Sequence, residues 1–470
     1  MSIVATLRGH QGRSTALGVA TVAWCVMVAT LVGGIVGVGG TSGPLVVAGG
    51  GIAFVACWGH PRRALVLWML SLTMIPVWVS AHLFANVPLH CIVAAMAVAA
   101  TITGSRGQIP ITKFEAYFAL VLAASLLATL FGGSTAAVWA QEPIRWGIPF
   151  LAARILVSAT GIRYATNVIA VVFAVVGCLA TIELVLAWHP FVNWRFDTLE
   201  YEYWHAVQTR GGRDRSAWAF GHSIALGGSL ALSIPFIARS NFDGPLKVVM
   251  FASVGAGIFA TASRSSVVAA GLAATICFIY ISTSRFVRTV GITATVLVAF
   301  LATTNYLPLF QGWVRGTSRE ERQSADYRSM LYSTYLPEIR VFGRAPIEMR
   351  VNSIDSAVLH FGLEFGWIVL LAMLLPLTLC AARTVAGRAS TAEIALFGQI
   401  PLFATVAFIT QYESLIFVVA GIAVQAIIAE RTAAQPDPAA EARIPAKERI
   451  HTRSCAPTGR HSHSVVAGQR

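Results

Sequence analysis

Arg264 is the one charged residue between Val248 and Thr283, in the stretch IFATASRSSVVAAG. A charge at a bilayer centre costs ~2.5–3.5 kcal/mol or more. Arg264 therefore either tops a hairpin at a membrane surface or serves as a functional cation. Two other stretches concentrate arginine. Residues 188–221 hold Arg195, Arg210, Arg213 and Arg215; residues 305–355 hold Arg315, Arg319, Arg322, Arg328, Arg340, Arg344 and Arg350. A guanidinium stays charged and grips oxyanions with a two-pronged fork. Three cationic elements on one side would make a site for a phosphate, pyrophosphate or uronate. Long loops cross a membrane regardless of charge, so a solvated loop surface also accounts for most of these arginines.

Acid–base and stacking groups accompany them. Asp355 stands where a helix re-enters an apolar run, as an ordinary N-cap or as a general base at the mouth of a cationic site. His222 opens another apolar run, as an acid or base or as an interfacial residue. Glu364 is an ionisable group inside an apolar segment, four residues from His360 and on the same helical face. The first arginine-bearing stretch interleaves its charges with Trp188, Trp194, Tyr201, Tyr203, Trp204 and Trp218. Indole faces suit sugar rings; an interfacial aromatic belt has the same composition.

These groups need a scaffold, and composition sets its class. The chain is 56% hydrophobic and only 12% charged, with a mean hydropathy of +0.69. Soluble domains carry ~25% charged residues, so the expectation is an all-α polytopic bundle of about 12–14 transmembrane spans. The candidate spans are 15–38, 44–59, 64–82, 86–103, 114–132, 145–160, 167–187, 222–238, 248–262, 265–283, 289–304, 356–380, 391–409 and 414–429. This divides the chain into N-terminal helices (1–187), a first large loop (188–221), central helices (222–304), a second large loop (305–355), C-terminal helices (356–429) and a basic cytoplasmic tail (430–470). A cleaved signal peptide is not expected.

Lys and Arg mark alternate short connections: Arg62/Arg63, Arg106/Lys113, Arg163, Arg239/Lys247, Arg285/Arg288 and Arg383/Arg388. By the positive-inside rule both termini are cytoplasmic, and the two large loops, with Arg264, face outward. Six of the seven cysteines fall in apolar runs and read as packing residues, with no metal spacing among them. Gly33 and Gly37, at GxxxG spacing, predict a close helix contact. RGGRDR and VFGRAP read as turns. The net charge of +13 comes from loops and tail, and nucleic acid is not an expected partner.

In order, these pieces resemble the O-antigen polymerase and ligase superfamily of bacterial inner-membrane proteins. RSAWAFGHSIALGGSLALSIPF is similar to the family's Arg, Gly-x-Phe, His-Pro-Asn segment. ATASRSSVVAAG is similar to its Thr-x-Ser-Arg-Gly-Ala segment. YRSMLYSTYLPEIRVFGRAP followed by NSIDSAVLHFGLEFGWIVLL resembles the Arg-x-x-x-Trp, Pro-Leu-x-Gly and His-or-Asp-Asn-x-Tyr-Leu run that ends in Glu-x-Gly. The likeness covers roughly residues 210–380; residues 1–200 match only as a stack of spans. Ser223-Ile224 stands where the family has Pro-Asn, Ser265 where it has Gly, Leu331 where it has Trp, and Ser356 where it has Asn. Asp355 occupies the position where ligases place histidine and is more like the polymerases.

The resemblance implies a metal-independent glycosyltransferase that needs no cofactor. Its donor is a glycan on undecaprenyl pyrophosphate in the outer leaflet. Arg264, Arg215 or Arg213, and Arg328 would hold the pyrophosphate. Asp355, with His222 second, would take the acceptor proton; Glu364, Trp204 and Trp218 would line the substrate. A chain-length regulator is a further partner the resemblance admits. The other readings are a ligase, another lipid-linked glycosyltransferase such as the peptidoglycan polymerases of the shape and division family, and a transporter or flippase with an outward anion vestibule.

Overall fold

The computed structural model describes residues 42–82, 86–104, 111–132, 141–196, 198–210, 212–281, 318–345 and 354–434, with the isolated residues 289 and 293. The spans expected at 15–38 and 289–304, the Gly33/Gly37 pair and the tail beyond residue 434 lie outside the described residues. Two compact units divide the chain at Ala426, and of the second the structure describes the last turns of one helix.

The described chain is mostly helical. In order it forms α1 (Ser42–Cys57), α2 (Pro61–Met74), β1 (Ser80–His82), β2 (Asn86–Pro88), α3 (Leu89–Gly104), α4 (Lys113–Phe131), a π turn (Pro143–Gly147) leading into α5 (Ile148–Thr160), and α6 (Ile162–Val185). The first long connection holds α7 (Leu199–Trp204), β3 (Thr209–Arg210), β4 (Arg213–Asp214) and a 3-10 turn (Trp218–Phe220). Then come α8 (Ser223–Arg239), α9 (Gly244–Ala260), α10 (Arg264–Ile281), α11 (Ser318–Tyr335), α12 (Ala357–Phe365), α13 (Trp367–Val385), α14 (Thr391–Gly398), α15 (Ile400–Thr405) and α16 (Thr410–Ala434).

Four of these are long and apolar enough to cross a membrane: α4, α6, α13 and α16. Shorter apolar helices follow at 89–104, 223–239, 244–260 and 264–280. Three of the expected helical spans are corrected by the structure. Residues 64–82 do not form one helix. Pro76 disfavours helical geometry at the residue before it, Ile75 is extended at φ −112°, ψ 129°, and the chain turns into the antiparallel pair Ser80–His82 with Asn86–Pro88. The expected span 356–380 breaks at Gly366 (φ +86°), and 391–409 breaks between Gly398 and Ile400.

The break at Gly366 leaves backbone groups that lipid could not satisfy. The segment after α11 supplies their partners. Gly343 N donates to Phe365 O at 3.1 Å, Ala345 N to Leu363 O at 2.8 Å, and Trp367 N and Ile368 N donate to Arg340 O and Val341 O. The turn expected at VFGRAP is thus the piece that completes a broken helix.

Helix α8 is buried on nearly every side, from Ala225 to Ile237, as expected of a helix that is apolar all round. It packs against α6, α9, α10 and α14. Close approach depends on small residues here, since lipid tails provide no hydrophobic drive for helix association. A Cβ at Gly177 of α6 would lie 2.6 Å from Ser253 O and 2.9 Å from Val254 Cα of α9. Ser253 Oγ donates to Ala174 O at 2.6 Å across the same crossing. Gly177→Val should therefore destabilise the protein by ~1–3 kcal/mol, whereas the adjacent, exposed Cys178 should accept valine. Thermal unfolding of the two detergent-solubilised variants checks this; equal melting temperatures would contradict it.

Connections sort into two sets, and each polar contact joins members of one set. Arg62 stacks on Tyr164 at 5.3 Å, Asn241 N donates to Asn167 Oδ1, and Tyr280 OH donates to Val385 O. In the other set, Asn86 Nδ2 donates to Glu200 Oε2 at 2.6 Å, Arg145 pairs with Glu200 at 3.1 Å and with Glu413 at 3.8 Å, and Gln411 Nε2 donates to Ile75 O and Ala219 O. These are the same two sets that the Lys/Arg alternation separates.

Candidate functional site

Two parallel helices begin side by side. Chain direction reverses from α8 to α9 and again to α10, so α8 and α10 share a direction. Gly227 of α8 lets α10 approach: a Cβ there would meet Ser266 Oγ at 2.5 Å and Thr261 Oγ1 at 2.8 Å. Their N-termini, at His222–Ser223 and Ser263–Arg264, consequently form one corner where two helix dipoles favour an anion. Arg264 is the first residue of α10, just past the turn Thr261–Ala262–Ser263, at the hairpin apex that the sequence suggested.

The first long connection folds onto that turn. Arg215 Nε donates to Thr261 O at 2.8 Å, Arg210 Nη1 to Ala262 O at 3.3 Å, and Ser216 N to Ala260 O at 3.0 Å. Gln208 ties the same region to α8: its carbonyl accepts from Arg215 N at 2.9 Å, and its side chain accepts from Ser223 N and Oγ. Burial, with Arg210 beside it, lowers the Arg215 pKa to about 10, so it stays cationic at neutral pH. One buried nitrogen of Arg215, Nη2, makes no hydrogen bond to the described residues. Arg213 lies in the β3–β4 hairpin opposite Arg210 and is exposed. The structure thus separates two arginines that the sequence left as alternatives.

Beside Arg215 is an aromatic pocket with Trp78, Phe191, Trp204 and Trp218 among its walls. Trp218 is 7% exposed and meets Phe191 edge-on at 4.9 Å. Trp204 stands edge-on to His222 at 5.6 Å and packs against Gly221, whose φ of +64° requires glycine in so tight a place. His222 itself is the N-cap of α8: its Nδ1 accepts from Ile224 N at 3.2 Å.

A carboxylate that sequence reasoning missed organises the cavity. Glu183, near the end of α6 and 3% exposed, accepts from Ser216 Oγ, from Trp218 N at 2.8 Å and from His189 Nδ1 at 2.9 Å. His189 Nε2 lies 3.6 Å from Asp214 Oδ2. The rule that singled out Glu364, an ionisable group inside an apolar run, applies equally to Glu183. Three of the four non-glycine residues with positive φ among the described residues border this site: Ala187, Trp218 and Ala262. Each costs ~1–3 kcal/mol, and such outliers persist where the surroundings impose them.

The remaining candidates gather elsewhere. Asp355 precedes α12, but the cap is Ser356, whose Oγ accepts from Leu359 N at 3.3 Å. The N-cap reading of Asp355 is corrected accordingly. Tyr332 of α11 fixes this end, its hydroxyl sharing a hydrogen bond with Ser356 Oγ and donating to Ala404 O, both at 2.8 Å. Arg328 lies one turn before Tyr332 on the same helix face, with its Nε buried and without a hydrogen-bond partner among the described residues. Glu364 pairs with Arg344 at 3.3 Å in a second pocket, which Tyr335 and His360 also line. The structure therefore brings together Trp204, Trp218, Arg215, His222 and the start of α10 in one place, and sets Arg328 and Asp355 on elements that meet elsewhere, through Tyr332 and Ser356. Helix α15 packs against both α10 and α12 and links the two.

No protein-family model, curated protein or solved structure matches the chain.

Proposed function

We propose that the protein is a membrane glycosyltransferase that polymerises undecaprenyl-pyrophosphate-linked oligosaccharide repeat units into a surface polysaccharide. In this reading it sits in the cytoplasmic membrane of a bacterium with both termini inside, and both long connections face outward. The observation that carries the reading is the pairing of a cationic corner with an aromatic cavity. Arg215 and Arg210 grip the turn that launches Arg264, and indole rings line the space next to Arg215. The cations suit a pyrophosphate leaving group, whose developing charge they would stabilise. The indoles suit sugar rings. Two lipid-anchored substrates held at one membrane surface would react as neighbours. The attacking hydroxyl needs a base, for which the sequence nominates Asp355 and then His222. No metal or cofactor enters this scheme.

The test is the length distribution of lipid-linked glycans in the source bacterium with the gene deleted and restored. Single repeats accumulating on undecaprenyl pyrophosphate, with long polymer lost, support a polymerase. Long lipid-linked polymer accumulating unattached would replace it with a ligase. An unchanged profile would refute both.

One observation favours a second reading, a transporter or flippase of an anionic or lipid-linked substrate. Helix α12–α13 is interrupted at Gly366, with the Arg344–Glu364 pair beside the break, and interrupted helices are common at transport sites. Reconstituted vesicles separate the two readings, because a transporter moves its substrate without changing its length.

A further inference from the structure

Glu183 and His189 stand outside the sequence-derived scheme, yet their arrangement is that of an oriented acid–base pair. A carboxylate at Glu183 offers only acceptors, so the Nδ1 that meets it at 2.9 Å is the donor of that bond. In the neutral imidazole the lone pair is then on Nε2. That atom is buried, accepts no hydrogen bond from the described residues, and belongs to a side chain 14% exposed. His189 lines the aromatic cavity together with Arg215, Trp204 and Trp218.

The charged and titratable groups facing it are few. Glu183 comes from α6, Asp214 from β4 with Oδ2 at 3.6 Å, Arg215 from the following segment, and His205 from the end of α7, its Nδ1 turned to Tyr201 O. Two carboxylates flank the ring, so a proton arriving on Nε2 would be held between negative charges. By contrast, His222 uses its Nδ1 to cap α8, and Asp355 lies on the other long connection.

We propose that His189, oriented by Glu183, is the base that takes the proton from the acceptor sugar hydroxyl. This inference rests on the polymerase reading and places the base in the same cavity as Arg215. The acceptor O–H gives its proton to Nε2 as its oxygen bonds to the anomeric carbon of the donor. The bond from that carbon to the phosphate oxygen breaks, and its electron pair leaves with undecaprenyl pyrophosphate, whose charge Arg215 meets. The imidazolium later releases its proton to water, and Glu183 keeps its hydrogen bond with Nδ1.

The experiment uses full-length protein in proteoliposomes carrying undecaprenyl-pyrophosphate-linked repeat units, with glycan length read against time and pH. His189→Ala should slow lengthening ~10²–10⁴-fold, and imidazole in the buffer should restore part of the rate. His189→Asn, whose side-chain amide keeps a donor towards Glu183, should be as inactive while eluting from gel filtration like the parent. Glu183→Gln removes a negative charge beside the ring and favours its neutral form, so the acid limb of the pH profile should move to lower pH. Lengthening by His189→Ala at the parent's rate would overturn the proposal, as would a loss that imidazole does not restore with the acid limb unmoved. Loss in Asp355→Asn with full activity in both His189 variants would return the role to Asp355. A parent that lengthens nothing would instead bring down the polymerase reading, and the base with it.

Discussion

In the proposed polymerase, Arg264→Ala is expected to abolish polymer formation while the protein still inserts in the membrane and purifies in normal yield. Arg264 begins a helix and is bordered by contacts that do not use its side chain: Arg215 and Arg210 hold the carbonyls of Thr261 and Ala262, and Ser263 Oγ meets Ser266 N and Oγ. The turn should therefore survive truncation. What is lost is a permanent cation at the corner formed by two helix N-termini. Removing one preorganised donor from developing transition-state charge typically costs ~10²–10³ in rate, and in the proposed polymerase a lost charge facing pyrophosphate should cost at least that. Arg264→Lys should recover only part, because an ammonium lacks the planar fork. The readout is glycan length in the gene-deleted strain carrying each variant. Parental polymer in the alanine variant would reduce Arg264 to a hairpin residue.

The second large effect is on stability. Arg145 lies between Glu200 of α7 and Glu413 of α16, with side-chain exposures of 17%, 11% and 11%, and Trp146 Nε1 donates to the same Glu413. Asn86 donates to Glu200, and Ser414 Oγ donates to Arg145 O. One arginine thus fastens the first long connection to the start of the last helix. Arg145→Leu would strand two buried carboxylates, and breaking such a pair costs ~3–5 kcal/mol. The variant should melt well below the parent in detergent, and adding Glu413→Gln should recover part of the loss. An unchanged melting temperature would mean that the carboxylates find other partners or water.

The sequence made some of this plain and hid the rest, for identifiable reasons. Apolar runs disclosed the helices, because burial and length are written directly in composition. The positions of α8, α9 and α10 fall within a few residues of those expected, since each begins at a polar turn. The breaks at Ile75 and Gly366 were harder to read. A hydropathy window averages across a proline or glycine, whereas the backbone cannot. RGGRDR disclosed its hairpin through its glycines.

The candidate site was legible where residues are close in sequence to a helix start, as with His222 and Arg264. It was illegible where the partner comes from afar. Nothing local links Glu183 to Ser216, or Arg145 to Glu413. The carboxylate of Glu364, set four residues from His360, meets Arg344 of a different segment. Isolated charges in apolar runs signal that a partner exists, and only the fold names it.

A backbone-to-backbone seam does not slide. Where Gly177 rests on Ser253 and Val254 no side chain intervenes, and shifting α6 by one turn, ~5.4 Å, would drive Phe173 or Thr181 into the place of a missing Cβ. Helices α6 and α9 must therefore move as one lever. That lever carries Glu183 at the end of α6, and the Ala260 and Thr261 carbonyls at the end of α9 that hold Ser216 and Arg215. The cationic wall of the cavity is thus anchored at both ends to a single stiff part. Any motion that opens the pocket would then have to leave these two helices, and the charges fixed to them, in place.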